Sequence, residues 1–542
     1  MLTISRYGRK DSHLLDTIGI EGGIKDGVEL EDALTEMSEA FPDGVERRYI
    51  HIVVRLPTVT QGEVMEDPTD ILARLNTEFK NTLESGSDCP PPSEAAQSDQ
   101  YRAIQGGPRK IYDGRYAQSK PADTTAPPIQ LFNPAFAFFS SKTFDPTYEV
   151  PIDILCATPT LMAEFATVYS EEDDRRSNIV SLLDNVLGHR FVKEQIRGGK
   201  CIPDGVVYAF HNKIPICLIV DEEKDQFGGG GSDPSVQTSF SFLRILCQKE
   251  AELPFMCNCP AFLIARAGPQ LVVLGAVLRE KCIVQRLTDF MWIPTYSSLD
   301  DDHCLRIGRV MHALKESITL LKDWYDNKVF KRDEPRYDIS HPVAHSRFFP
   351  TPDTYKRDGK LVKFTYQQPL ESHPACVTYL AKTVETDSIH VVVKFVTRYG
   401  VDVHMAMAEA GFAPKLLYYG PIDTMPHMPS YGELRMVVME YVDGTTASNA
   451  RALPRSFKQD LTKAIEYCHE RGFVFRDLRK PNVMITKENK VQLIDFDWAG
   501  CEGRVTYPVS IDSIDIEWPA EVRRLNPILQ QHDHDMLVRH FK

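Results

Sequence analysis

No segment constrains the chain more than Gly472–Gly500, GFVFRDLRKPNVMITKENKVQLIDFDWAG. Just upstream, Ser456 and Gln459 form a candidate capping box. Phe457, Leu461, Ala464, Ile465 and Cys468 then recur at helical spacing, and Gly472 marks the helix end. A loop follows that carries Arg476, Asp477, Arg479 and Asn482. Two β-prone runs, VMI and VQLIDF, are joined by the turn-like TKENK. Helix, loop and hairpin in that order bring Asp495, at a strand end, beside the loop that holds Asp477.

That arrangement suits transfer of a γ-phosphoryl group. The reaction needs a carboxylate to accept the acceptor's proton, a cation near the developing charge, and hard oxygen ligands for Mg²⁺. Asp477 supplies the first and Arg479 the second, while Asn482 and Asp495 supply the third. The spacing Asp, +2 Arg, +5 Asn, +18 Asp resembles the catalytic loop and metal-binding strand of the protein-kinase-like superfamily. The resemblance implies ATP and Mg²⁺ as cofactors and a protein or small-molecule phosphate acceptor. It also implies a minimal two-lobed protein-kinase-like domain over residues 345–542.

Upstream, IHVVVKF ends at Lys394, placed for the α- and β-phosphates. VVMEYVDG, Val437–Gly444, reads as the strand and hinge against which adenine lies, with backbone groups presented by Glu440 and Tyr441. The helix YGVDVHMAMAEAGFAPKLL should carry the acidic partner of Lys394, either Asp402 or Glu409. Three features depart from the pattern. No GxGxxG precedes Lys394, which leaves LESHPACVTYL to cover the phosphates. Phe475 stands at the usual histidine position, and Asp497 replaces the usual glycine after Asp495-Phe496. Neither position binds metal or takes a proton, and Asp497 adds a carboxylate near the metal. HDHDML around Asp533 is expected to form one supporting helix.

Residues 145–330 carry a second constellation. IPDGVVYAFHNKIPICLIVDEEKDQ reads as a hairpin opened by Asp204 and closed by Glu222-Glu223-Lys224. An Asp and a Glu at adjacent strand ends can hold Mg²⁺, and a lysine two residues on, on the same face, can orient an attacking water. The pattern resembles the PD-(D/E)xK nuclease-like α/β domain. That resemblance implies Asp204, Glu222 and Lys224 as catalytic residues, the two acids as metal ligands, and DNA as a partner. It adds a supporting Gln237 on the next helix and an acid, Glu171 or Glu172, on the preceding one. Against this, Lys and Arg do not outnumber Asp and Glu between 171 and 326, unlike a basic DNA-binding footprint. FGGGGSDPS lacks a following Gly-Lys-Ser/Thr, so it reads as a loop beside the site rather than a phosphate cradle. An amphipathic helix closes the block, with Cys304, Ile307, Met311, Leu314, Ile318, Leu321 and Tyr325 on one face.

At 542 residues the chain exceeds one core, and its fold class is expected to be multidomain α+β and α/β. A net charge of −14 disfavours simple electrostatic binding to nucleic acid or anionic membrane. The 12 cysteines are scattered, with only Cys257 and Cys259 close together, which points to reduced thiols and a cytoplasmic or nuclear setting. Residues 61–144, rich in Pro, Gly and Ser, read as a partly disordered linker. Residues 1–60 form a short N-terminal segment in which YIHIVV reads as a strand before Pro57. Its ending, FPDGVERRYIHIVVRLP, together with the block order and the DFDWAG ending, resembles Crinkler-type proteins of fungi and oomycetes. That resemblance implies a ubiquitin-like header fragment, secretion and delivery to a host cell; no signal peptide or membrane span is readable in the sequence. Three functions stand open: an ATP- and Mg²⁺-dependent phosphotransferase, a Mg²⁺-dependent nuclease with a regulatory kinase-like block, and a nucleotide-binding module without turnover.

Overall fold

The computed structural model describes Leu2–Gly8, Val28–Leu30, Tyr49–Val54 and most of the span from Pro68 to Phe541. Within that span residues 87, 118–120, 194, 196–201, 227–230, 249–250, 331–343, 423–430, 510, 512–515, 517 and 520 are not described. The chain divides into two compact units, Met1–Val64 and Met65–Lys542. In the first, β1 (Leu2–Gly8) pairs antiparallel with both β2 (Val28–Leu30) and β3 (Tyr49–Val54). The strand expected before Pro57 is β3.

The second unit begins where a linker was expected. Helix α1 (Pro68–Gly86), a helix at Ser98–Gln105 and α2 (Pro134–Thr143) occupy the stretch. Phe79, Tyr101, Ile111, Phe132, Phe136 and Phe139 are buried in the core. Proline density misleads here because Pro134 opens a helix rather than breaking one. Asn133 caps that helix, accepting the Ala135 N–H at 2.9 Å. The Gln105 side chain bonds the Ile111 backbone through both its ends, giving the loop a fixed fold.

The middle sheet contains β4 (Gly205–His211), β5 (Ile214–Lys224), β6 (Ala261–Ala267), β7 (Gln270–Leu278), β8 (Cys282–Arg286) and the short β9 (Met291–Trp292). Its order is β4-β5-β6-β7-β8, with β9 also on β7. Only β5 and β6 run parallel. Around this sheet lie α3 (Ile152–Ala166), α4 (Glu172–Leu187), α5 (Pro234–Leu246) and α6 (Asp301–Trp324). The apolar run ICLIV in β5 has its Cys217–Val220 portion buried, as a strand covered on both faces requires. On α6 the expected face is buried from Ile307 to Leu321, Cys304 being half-buried. Asp233 of the glycine-rich stretch caps α5 by accepting the Ser235 N–H at 2.9 Å.

A six-stranded antiparallel sheet follows: β10 (Thr354–Arg357), β11 (Lys360–Pro369), β12 (Thr378–Thr383), β13 (His390–Val396), β14 (Leu416–Pro421) and β15 (Arg435–Glu440). Its order is β10-β11-β12-β13-β15-β14. One hydrophobic core runs from Ile71 through the middle block to Tyr379, Val393 and Val438. The expected separation between 145–330 and 345–542 is therefore not a break in the core, and residues 331–343 between them are not described. A second core joins α7 (Val401–Glu409), α8 (Phe457–His469), the hairpin strands β18 (Val483–Thr486) and β19 (Val491–Leu493), and α9 (Gln530–His540). Strand β16 (Gly444–Thr446) extends that hairpin, while β17 (Phe473–Val474) pairs with β20 (Gly500–Cys501). Helix α8 buries the five residues expected, but Ser456 makes no side-chain cap bond.

Phe136 meets Phe262 edge-on at 5.1 Å and lies over Gly275 of β7. Phe136→Ala should destabilise the protein by about 3–5 kcal/mol in urea unfolding. A side chain on a disordered linker would leave the unfolding curve in place.

Candidate active site

The loop after α8 is held from beneath. Asp533 of α9 is fully buried and accepts the Phe475 N–H at 2.8 Å and the Arg476 N–H, and it lies 3.1 Å from His469 Nε2. Arg476 takes φ 79, a left-handed conformation that a non-glycine residue holds only when its surroundings impose it. Its guanidinium is buried over the faces of Trp498 and Tyr507, at 3.2 and 4.0 Å from the ring centres. The next residue, Asp477, is buried. Arg479 donates to both its carboxylate oxygens, Nε at 2.5 Å and Nη2 at 2.7 Å. Asn482 donates its side-chain nitrogen to the Asp477 carbonyl at 2.9 Å, so the oxygen end of the amide is the one available to a ligand.

The hairpin carries the third oxygen donor into the same place. Ile494 N–H bonds the Asn482 carbonyl at 3.0 Å, and Asp495 then turns at φ 68. Lys394 of β13 donates to Asp495 at 2.7 Å and lies 2.8 Å from Asp497. The residue is 7% exposed. Burial alone would lower its pKa, but Asp495 and Asp497 hold it well above the ordinary lysine value. Burial pushes Asp495 up as well, and Lys394 outweighs it, keeping that carboxyl below its usual range. Asp497 goes the other way: burial, then the charge of Asp495, push it up to about 8.

Neither acid expected to partner Lys394 does so. Asp402 and Glu409 lie on the exposed side of α7, whose buried face is Val403, His404 and Met407. The partners of Lys394 are Asp495 and Asp497, the latter at the position where glycine is usual. His404 instead stacks on Phe496, ring centres 4.5 Å apart. Burial lowers its pKa to about 4, so the ring is neutral. Its Nε2–H donates to the Pro414 carbonyl at 2.8 Å, and Nδ1 accepts the Tyr399 hydroxyl at 2.7 Å. His404 and Tyr399 carry no local pattern that would have marked them.

At the hinge, Glu440 and Tyr441 differ in part from expectation. Their N–H groups are already donated, to the carbonyls of Lys415 and His390 at 3.0 and 3.2 Å. The loop expected to cover the phosphates, LESHPACV, joins β11 to β12.

In the middle block, Asp204 and Glu222 come to the same end of the sheet through the pairing of Gly205 with Asp221. Gln237 of α5 donates to Glu222 at 2.6 Å, with Ser241 on the other carboxylate oxygen. Burial, and then the charge of Asp204, raise Glu222 well above an ordinary glutamate. Lys224 is half-buried at the strand end. Helix α4 contributes arginines where an acid was expected. Arg175 pairs with Glu223, and Arg176 with Asp204 at 3.2 Å. Glu171 is exposed at the helix start, and the side chain of Glu172 lies outside the described residues. Among the described residues no three His, Cys, Asp or Glu side chains gather to hold a metal. Cys257 and Cys259 are buried free thiols. Among the described residues no helix is long and apolar enough to cross a membrane.

Residues 373–507 match the protein kinase domain. Short stretches of the chain are also similar to serine/threonine kinases. A probable serine/threonine-protein kinase of Dictyostelium discoideum is 36% identical over 74 residues, 12% of this chain and 11% of that one. The serine/threonine-protein kinase PknB of Mycolicibacterium smegmatis is 36% identical over 73 residues, 12% of each chain. Sperm motility kinase 2B of Mus musculus is 53% identical over 47 residues, 9% of each. The chain thus spans about a tenth of the length of these relatives.

The raised pKa of Asp497 has a direction in stability. In the unfolded chain this carboxyl titrates near 3.8, and in the folded one near 8. The proton it keeps therefore stabilises the fold at low pH, and that contribution is lost as pH rises through about 8. The melting temperature should fall more from about pH 7 to about pH 9 in the wild type than in Asp497→Asn. Parallel pH profiles would show that Asp497 does not hold its proton.

Proposed function

We propose that the C-terminal block is an ATP- and Mg²⁺-dependent phosphotransferase acting on a hydroxyl of a protein or small molecule. The observation that supports this reading is a run of contacts: Lys394 pairs with Asp495, the Ile494 N–H bonds the Asn482 carbonyl, and the Asn482 amide bonds the Asp477 carbonyl. Asp495 and the Asn482 amide oxygen are hard donors that fit Mg²⁺. When bound there, the ion neutralises phosphate charge. Lys394 would move from its carboxylates onto the α- and β-phosphates. Asp477, oriented by Arg479, accepts the proton of the attacking hydroxyl. The new bond runs from that oxygen to the γ-phosphorus as the β–γ bridge breaks, and ADP leaves. Adenine would meet the carbonyls of Glu440 and Tyr441, since their N–H groups are taken.

Asp477→Asn should lose at least about a hundredfold in phosphoryl transfer while MgATP still raises the melting temperature. Transfer that survives the substitution overturns the reading. A MgATP shift in the wild type with no turnover on any acceptor leaves the nucleotide-binding module.

A second reading concerns the middle block, as a Mg²⁺-dependent nuclease. It is supported by the parallel β5–α5–β6 crossover, which brings Asp204, Glu222, Lys224 and Gln237 to one sheet end, and by the raised pKa of Glu222. Plasmid nicking in Mg²⁺ that disappears in Lys224→Ala is the expected result; no nicking with any divalent cation removes it. The Crinkler-type context and delivery to a host cell belong to this proposal, and they rest on the sequence resemblance of the ending FPDGVERRYIHIVVRLP, the block order and the DFDWAG ending.

A further inference from the structure

The phosphate cover is unusual in its supports. The loop Leu370–Val377 contains no glycine. It re-enters the sheet at Thr378, which pairs directly with Lys394, so its far end lies beside the lysine that would take the phosphates. Inside the loop the Leu370 N–H bonds the Thr378 carbonyl at 2.9 Å, closing its base. The Cys376 N–H bonds the His373 carbonyl, and the Ala375 N–H bonds His373 Nδ1, both at 3.0 Å. Those bonds define a turn but do not fix its position over the cleft.

The position comes from outside. Arg74, on α1, donates Nη2 to the Ser372 carbonyl at 2.7 Å across 298 residues of chain. Arg279, after β7 of the middle sheet, donates Nη2 to the Pro374 carbonyl at 2.9 Å. Each guanidinium is oriented by its own acid: Arg74 by Glu78 at 2.9 Å, and Arg279 by the buried carboxylate of Glu280. Cationic donors on carbonyls are among the stronger hydrogen bonds, and a planar fork holds direction as well as distance. The two gripped carbonyls sit two residues apart at the tip of the loop.

We propose that Arg74 and Arg279 are positioning residues for the nucleotide, holding a glycine-free cover in the shape that takes the phosphates of ATP. The block before residue 330 is then part of the nucleotide site and not a separate domain beside it. This rests on the phosphotransferase reading above. A loop that obtains its shape from glycine needs no such clamp; one built from Glu371, Ser372, His373 and Pro374 does.

The test uses the full chain, with MgATP and adenosine as probes in calorimetry and with steady-state kinetics. Arg74 is partly exposed, so Arg74→Ala is expected to fold. It should weaken MgATP binding about tenfold and raise KM for ATP more than it lowers kcat, with adenosine affinity changed by less than about twofold. Arg279→Lys keeps the charge beside Glu280 but loses the fork, and should show the same phosphate-selective loss. Equal losses for MgATP and adenosine would mean general damage and overturn the proposal. So would unchanged MgATP affinity in Arg74→Ala, which decides alone if Arg279→Lys does not fold. No MgATP binding by the wild type overturns the phosphotransferase reading, and this proposal falls with it.

Discussion

The site depends on one ammonium and two carboxylates taken out of water together. Burying a single ion is unfavourable, and an ion pair offsets that penalty only with close geometry. Lys394 meets both Asp495 and Asp497 below 3 Å, but two negative charges face one positive one. Burial and the charge of Asp495 raise the pKa of Asp497, while Lys394 holds that of Asp495 down.

Both partners of Lys394 lie on the hairpin end that follows the catalytic loop. The same short segment therefore sets the lysine, Asp495 and, through the Ile494–Asn482 backbone bond, the amide of Asn482. Helix α7 contributes no acid. Its role is mechanical: the neutral His404 ring packs flat on Phe496, between Asp495 and Asp497, and is itself fixed by Tyr399 and Pro414. The loop below is fixed in turn by Asp533, whose two backbone contacts hold Arg476 in its left-handed turn.

Local pattern and non-local geometry were unequally legible in the sequence. The spacing of Asp477, Arg479, Asn482 and Asp495 could be read because loop and hairpin are contiguous, and the periodicity of α6 and α8 because a buried helical face repeats within a few turns. The partner of Lys394 was not readable. Helix α7 offers two acids at plausible positions, and only packing shows that both face solvent. Residues 61–144 misled for a compositional reason, since proline at a helix start and proline in a disordered segment look alike until a capping partner such as Asn133 is seen. The two guanidinium contacts to the cover loop span 298 and 95 residues, beyond any motif.

The continuous core accounts for why such long-range contacts are stable. Phe79 of α1, Phe132 just before α2, Phe262 of β6 and Tyr379 of β12 are fully buried in one cluster. A clamp across two independently moving domains would lose the entropy of docking each time it formed. Across one packed core that entropy is already lost in folding, so Arg74 and Arg279 meet their carbonyls with little further ordering. The glycine-free loop Leu370–Val377 can be held still in this way because the preceding block is built into the same interior.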